Sequence, residues 1–396
     1  MEAAHGVKIS ARGLCALCTL VYMVSYIARV NLGASVLAIV QDTGFSPSRL
    51  AVALTGSFIT YGAGQLLSGW FGDRLQPRRL VFAGLILTGS MNALMAVCAR
   101  PWQMAIVWFI NGFAQSLMWP PLIRLMVSLL DEKTYSRGMV IVALGSSIGT
   151  ILVYLTVPLL IRASWRWVFF LSALCALITA KVWREHCPRI GTSVTRPKGG
   201  GISVLLNPLV IAIMLAIAMQ GMLRDGVTTW LPSFVSDTFA LSNSVSIMTG
   251  VLLPLFGIGC VQVAARIYNI HTDPVACAAG MFSVGVAAAG SVIMASGHSA
   301  VVSVVGLAVL TGCMHGVNHL LISMVPAFYR DTGAVSTVSG ALNACTYIGS
   351  AISTYGIASV TEHYGWPVTL RLWMAIAAVG AVLCFACIRP WHRRFH

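Results

Sequence analysis

The sequence has 396 residues, of which 58% are hydrophobic and only 9% are charged. Together with a mean hydropathy of +0.84, this composition excludes a water-soluble globular protein and indicates a polytopic membrane protein. The net charge of +14 would suggest nucleic-acid binding in a soluble protein, but here the basic residues follow membrane topology and predict no nucleic-acid partner.

About twelve apolar segments are long enough to cross a bilayer as helices. The first is too long for a cleaved signal peptide and leads into further spans, so we expect it to be retained in the membrane. The sequence therefore predicts an all-α membrane protein with twelve transmembrane helices. The spans lie near 12–40, 49–73, 79–99, 102–130, 138–161, 167–183, 208–236, 246–265, 275–296, 300–328, 335–360 and 367–388.

One arginine, Arg29, lies in the middle of the first apolar span, in the stretch VYMVSYIARVNLGASVLAIV. A charged side chain at the centre of a bilayer costs about 2.5 to 3.5 kcal/mol on insertion scales, and such residues usually face a water-filled cavity or a partner. The arginine is therefore a candidate functional residue.

The second span ends in the sequence GWFGDRLQPRR, from Gly69 to Arg79. Its glycine allows close approach of another helix, and Asp73 is suited to capping or salt-bridging a neighbouring helix end. Arg74 and Arg78 are expected to hold the loop on the cytoplasmic side.

The polar stretch 184–203, rich in Gly, Pro and basic residues, predicts a cytoplasmic linker between two six-helix halves. The halves are residues 1–183 and 204–396. Most loop arginines and lysines lie on the side of this linker, so the positive-inside rule predicts that both termini are cytoplasmic and that the protein is a multi-pass protein of the inner (plasma) membrane.

Arg224 occupies the first span of the second half, 17 residues after Asn207, just as Arg29 lies 17 residues after Arg12. Transporters built from two related halves bind substrate near mid-membrane between the halves, so we expect both arginines to face a central cavity. Asp225 is the one acid clearly at this depth. Neighbouring residues on a helix point about 100° apart, so the sequence predicts poor neutralisation of Arg224 by Asp225 and hence an anion site. The alternative is that each arginine pairs with a carboxylate to hold helices together.

Several motifs in order resemble the major facilitator superfamily and, within it, the organophosphate:phosphate antiporters. They are YMVSYIARVN, TYGAGQ, DRLQPR, MWPPLIR, SWRWVFF, LRDGVTTWLP, YIGSAIS and HYGW. The resemblance implies the major facilitator fold and a phosphate clamp made by Arg29 and Arg224. It also implies ligand-side tyrosines at Tyr22, Tyr26, Tyr61 and Tyr347, with ordinary aromatic packing as the alternative for each. The loop residues Asp73, Arg74 and Arg78 would act in conformational gating.

The sequence also departs from this family pattern. Gln65 stands where the phosphate transporters often carry a lysine in helix 2. The histidine that they often carry in helix 5 is also missing, so the sequence lacks two of the family's usual cationic residues. New polar groups occur in GCMHGVNHLLISMVP, where His315 and His319 share a helix face with Asn318 beside them. Either the histidines are hydrogen-bonded between helices, or His315 contacts substrate or carries a proton. Asp225 and His319 are further candidates for proton coupling.

We therefore expect a secondary transporter that moves a small organic anion, such as a phosphate ester, by alternating access in exchange for inorganic phosphate. Two alternatives remain: proton-coupled symport of a carboxylate or sugar acid, and a transporter-like ligand sensor. No nucleophile–base set or metal-ligand spacing is visible in the sequence, which predicts a non-enzyme without cofactors. The cysteines are expected to be packing residues. Besides the lipid bilayer, no macromolecular partner is predicted, and we expect a monomer.

Overall fold

The chain is built from long apolar helices, as the length of its apolar segments predicts. The computed structural model describes residues 9–45, 47–189, 202–240, 249 and 252–395. Nine helices among these described residues are long and apolar enough to cross a membrane. The helical architecture is confirmed, and the number of twelve spans stays a prediction.

The helices are numbered here in chain order. In the N-terminal part they are α1 (Ala11–Thr43), α2 (Pro47–Arg74), α3 (Pro77–Val97), α4 (Pro101–Ser116), α5 (Trp119–Leu129), α6 (Glu132–Leu160) and α7 (Arg166–His186). A short 3₁₀ turn (Ile202–Leu206) precedes α8 (Pro208–Phe239), α9 (Leu252–His271), α10 (Pro274–Ala295), α11 (Ala300–Asn318) and α12 (Val335–Phe395).

Polar side chains begin several of these helices. The hydroxyl of Ser10 accepts a hydrogen bond from the backbone N–H of Gly13 at the start of α1. The side chains of Asn207 and Asp273 accept backbone N–H groups in the same way at the starts of α8 and α10. Each cap satisfies a donor that the first helical turn cannot, which fixes the helix start next to an apolar run.

Contacts divide the chain into two units. The first contains the chain up to Ile202 together with Tyr329–Gly340, and the second contains Ser203–Phe328 and Ala341–His396. In the first unit α1 packs along α6, α2 along α4, and α3 along α7. Trp108, Trp165 and Phe169 form part of its buried core. In the second unit α11 packs against α8, α9 and α10.

The segment Tyr329–Gly340 lies within the predicted C-terminal half by sequence, but its contacts place it with the first unit. It follows α11, which continues as a π-helical turn (His319–Met324) and a 3₁₀ turn (Val325–Tyr329). The segment also includes the first turns of α12, so this helix begins in the first unit and continues in the second.

Where the helices are described, and counting the turns that continue α11, the predicted spans match them to within seven residues, with two differences. The span predicted at 102–130 is two helices, α4 and α5, separated at Leu117 and Met118, where Pro120 and Pro121 follow. The last two predicted spans form one helix interrupted at Gly365, which has a φ of 75° and precedes Pro367. Residues 190–201 of the predicted linker, and most of 241–251, lie outside the described residues; residues 184–186 still belong to α7.

Candidate functional site

Arg29 lies half-buried on α1 among aromatic and amide groups of the first unit. Its guanidinium carbon is 4.2 Å from the centre of the Tyr61 ring on α2 and 4.8 Å from that of Tyr26. Its Nη2 donates a hydrogen bond of 3.4 Å to Oε1 of Gln115 on α4. None of these three groups carries a formal charge, so they orient the guanidinium without neutralising it.

The other predicted residues of the first unit lie around this group. The Tyr22 ring packs on Trp119, with 4.5 Å between ring centroids, and its hydroxyl oxygen is 3.4 Å from that of Tyr26. Gln65 lies one helical turn after Tyr61 and is fully buried, and neither atom of its amide forms a hydrogen bond among the described residues. A buried amide without a partner is costly, and the role of Gln65 in binding stays a prediction.

Arg224 is paired with its sequence neighbour, and the expectation that Asp225 is poorly placed to neutralise it is wrong. Nε and Nη2 of Arg224 donate hydrogen bonds of 2.7 and 2.9 Å to the two carboxylate oxygens of Asp225. The Cβ atoms of the two residues point in directions about 100° apart. The arginine side chain is long enough to curve around the helix, so that the edge of its guanidinium formed by Nε and Nη2 faces the carboxylate. Two parallel hydrogen bonds to a carboxylate are the geometry by which arginine also binds a phosphate.

Other polar groups of the second unit complete this pair. Nη1 of Arg224 donates to Oδ1 of Asn318 on α11, at 3.3 Å. The Ser350 hydroxyl on α12 donates to Oδ2 of Asp225, and His315 lies within electrostatic range of both charges. The cluster is therefore a hydrogen-bonded polar site in which the guanidinium of Arg224 binds the carboxylate of Asp225.

The remaining two predicted residues of this unit have different positions. Tyr347 is half-buried on α12, one turn before Ser350. His319 is buried at the start of the π-helical turn, and neither ring nitrogen forms a hydrogen bond among the described residues. The alternative of two histidines hydrogen-bonded between helices is therefore not what the structure shows for His319.

Asp73 is a buried helix cap. Its carboxylate oxygens accept the backbone N–H groups of Ser336 and Thr337, each at 2.7 Å, at the start of α12. Negative charge at a helix N-terminus is favourable because it meets both free N–H groups and the helix dipole. Gly69 makes this contact possible, since a Cβ there would lie 2.7 Å from the Ser336 carbonyl oxygen.

The basic residues near Asp73 differ in their contacts. Arg74 is exposed, donates to the Trp70 carbonyl of its own helix, and stacks on the Trp70 ring. Arg78 donates to the carbonyl oxygen of Arg184 at the end of α7. The Arg78 contact joins the loop after α2 to α7, and the gating role of the three residues stays a prediction.

Four site residues were not found by sequence reasoning. Gln115 and Ser350 contact Arg29 and Asp225, and Arg124 and Arg330 donate to carbonyl groups at the ends of α2 and α5. Polar residues inside apolar spans were a usable signal for Gln115, Ser350 and Arg124. Nothing in the sequence indicated which groups they would meet.

No group of three or more His, Cys, Asp or Glu side chains able to hold a metal occurs among the residues that the structure describes. The cysteines are all free thiols, and most are buried in helix packing. Guanidinium groups such as those of Arg29 and Arg224 are able to bind an anion by hydrogen bonds and charge.

Comparison with known proteins gives a family match over most of the chain. The model of the Major Facilitator Superfamily matches residues 18–354. The chain is 22% identical to the membrane sensor protein UhpC of Salmonella typhimurium, over 91% of this chain and 88% of that protein.

Two further comparisons concern transporters. The chain is 30% identical to a glycerol-3-phosphate transporter of Bacillus subtilis, over 39% of this chain and 36% of that protein. Its fold matches the crystal structure of the human organic anion transporter MFSD10 with a TM-score of 0.75 and 17% identity, covering 95% of this chain and all of that one.

Proposed function

Because the chain belongs to the Major Facilitator Superfamily, we propose that it is a secondary transporter that carries a small organic anion by alternating access. The substrate class is a phosphate ester or a similar anion, exchanged for inorganic phosphate. Similarity to a glycerol-3-phosphate transporter and to hexose phosphate transport proteins supports this class.

The observation that carries the proposal is the pair of arginines at matching depth in the first helix of each half. Arg29 stacks on the Tyr61 ring and donates to Gln115, and Arg224 binds a carboxylate with two parallel hydrogen bonds. A guanidinium that donates two parallel hydrogen bonds to a carboxylate also has the right geometry to bind a phosphoryl or carboxyl group of a substrate. Each half would contribute one guanidinium to binding of the anion, as the resemblance to the antiporters implies.

Gating is assigned to the contacts of the segment Tyr329–Gly340. Asp73 caps the start of α12, which lies in this segment. Arg330 donates to the carbonyl oxygens of Val127 and Leu130 at the end of α5. These contacts involve no group of the two arginine clusters. We therefore assign them to the rate of conformational change and not to recognition of the anion.

The test is counterflow in proteoliposomes loaded with inorganic phosphate, with external radiolabelled phosphate or glycerol 3-phosphate. Exchange uptake that requires internal phosphate supports the proposal. Uptake that is driven by a proton gradient without internal phosphate would replace it with proton symport, for which Asp225 supplies a candidate proton carrier.

A ligand sensor is the second candidate function, because the match to the sensor UhpC extends over 91% of the chain whereas that to the B. subtilis transporter covers 39%. Binding of a phosphate ester to the purified protein, without flux in the same preparation of proteoliposomes, would favour the sensor. Flux at a rate comparable with a control transporter would exclude it.

A further inference from the structure

A buried group of asparagines binds the backbone on either side of Arg29. The carbonyl oxygen of Ala28 accepts hydrogen bonds from the side-chain amides of Asn92 on α3, at 3.2 Å, and Asn111 on α4, at 3.1 Å. Ala28 immediately precedes the arginine in α1. Two helices thus hold the peptide group through which Arg29 is attached.

Asn31 binds the other side of the same turn. Its amide nitrogen donates to Oδ1 of Asn92 at 2.8 Å and to the hydroxyl of Ser172 on α7 at 2.9 Å, while its Oδ1 accepts the backbone N–H of Leu32. In a regular α-helix the Leu32 N–H pairs with the Ala28 carbonyl. Here asparagine amides bind both of these groups.

The three asparagines are 0–1% exposed. Buried amides in a membrane helix bundle are costly unless satisfied, and they commonly join helices. Joining helices does not by itself require them to converge on one backbone turn. In this protein the hydrogen bonds that the amides of Asn92 and Asn111 donate to α1 both end at Ala28, the residue before Arg29.

We propose that Asn31, Asn92 and Asn111 are positioning residues, which fix the backbone turn that carries Arg29 and so aim its guanidinium at the bound anion. Tyr26 and Tyr61 confine the guanidinium by stacking, whereas the asparagines set the direction in which the side chain leaves the helix. This inference rests on the proposed function, since it assigns to the asparagines a part in anion affinity.

The experiment is a double-mutant cycle on phosphate binding, measured by isothermal titration calorimetry with inorganic phosphate and the purified full-length protein. Asn111→Leu keeps the approximate size of the side chain and removes the donor to Ala28. The matched control is Thr88→Val, because Thr88 is equally buried on α3 and its hydroxyl forms no hydrogen bond among the described residues. Thermal unfolding of every variant is recorded in the same detergent.

The expected loss of phosphate affinity for Asn111→Leu is about threefold to tenfold, the scale of one buried hydrogen bond that matters to binding. The same loss should occur in an Arg224→Lys background and should disappear in an Arg29→Lys background, because the asparagine acts through Arg29. Thr88→Val should leave phosphate affinity unchanged in all three backgrounds. Asn111→Ser, a smaller change, enters the same cycle where the leucine variant does not fold.

A purely structural role gives a different pattern. An equal loss of affinity in both arginine backgrounds, or a lower unfolding temperature with unchanged phosphate affinity, would overturn the inference and leave the proposed function intact. Absence of any phosphate or phosphate-ester binding by the wild-type protein would overturn the proposed function, and this inference with it.

Discussion

Replacement of Asp225 by asparagine tests whether the resident carboxylate competes with substrate for Arg224. The carboxylate occupies Nε and Nη2, the edge of the guanidinium that a phosphate would bind with two parallel hydrogen bonds. An incoming anion can bind this edge only after it displaces Asp225; otherwise it is left with the other edge of the guanidinium, where Nη1 already donates to Asn318. The asparagine variant keeps the volume of the side chain and removes its charge.

The magnitude follows from the bonds that have to be broken. Hydrogen bonds to charged groups contribute about 1.5–3 kcal/mol net, and about 1.4 kcal/mol corresponds to a tenfold change in affinity. Loss of one such bond from the competing pair predicts that Asp225→Asn binds an anion about tenfold more tightly than wild type at pH 8.

The pH dependence has a definite sign. An anion that displaces the carboxylate from Arg224 leaves it buried beside Ser350, where proton uptake removes an uncompensated charge. Proton uptake on binding means that wild-type affinity rises as the pH falls from about 8 to 6. Asp225→Asn should flatten or reverse this trend, because the group that takes up the proton is gone.

Calorimetric titrations with inorganic sulfate and with inorganic phosphate distinguish protonation of the protein from protonation of the ligand. Sulfate remains a dianion over this pH range, whereas inorganic phosphate takes up a proton within it. His315 also lies within electrostatic range of the pair, so His315→Gln is the control and should leave the trend in place. Sulfate affinity that is independent of pH in the wild type, or the same in wild type and Asp225→Asn, would refute the competition.

The remaining predictions concern the two arginines and the contacts assigned to gating. Arg29→Lys and Arg224→Lys should each lower counterflow about tenfold or more with normal membrane insertion, because lysine keeps the charge and loses the two-pronged donor; near wild-type exchange in either would exclude that residue from the clamp. Asp73→Asn should reduce turnover several-fold with little change in phosphate affinity, since the caps on Ser336 and Thr337 weaken and no group near the anion changes; a large affinity loss at constant turnover would contradict it. Arg330→Leu should act in the same direction as Asp73→Asn, whereas the exposed Lys133→Gln should have no effect on either quantity.

The sequence predicted the helices well because a membrane span is a property of composition and length. It also located Arg29 and Arg224, since a charge inside an apolar run is visible without any knowledge of packing. The contacts of these residues were less predictable. The pairing of Arg224 with Asp225 was missed because a rule about Cβ directions was applied to a side chain long enough to reach around the helix.

Long-range partners were out of reach for a different reason. Gln115 meets Arg29 across 86 residues of sequence, and Asp73 meets Ser336 across 263. Many polar residues in apolar spans could have made either contact, and only the packing of helices selects among them. The same holds for the segment Tyr329–Gly340, whose association with the first unit depends on contacts that have no local sequence signal.

The same type of hydrogen bond occurs at corresponding positions in the two halves. Oδ2 of Asp42, near the end of α1, accepts the indole N–H of Trp165 at 2.8 Å, just before α7. Oδ2 of Asp237, near the end of α8, accepts the indole N–H of Trp366 at 3.0 Å in α12. In each half the helix that carries the arginine is thus joined at its end to the last span of that half by an aspartate and a tryptophan.

The two arginines have different neighbours, although their helices make this same contact. Arg29 and Arg224 each lie thirteen residues before the aspartate that forms the tryptophan contact of its half. Yet the first is stacked by Tyr26 and Tyr61, whereas the second is neutralised by Asp225. The first helix of one half therefore carries a guanidinium that stacks on two tyrosine rings, and the first helix of the other half carries one that is hydrogen-bonded to a carboxylate. If the anion binds Arg224 by the edge that Asp225 now occupies, it must first displace this carboxylate, so we expect selection among anions by charge to depend on Arg224 and Asp225.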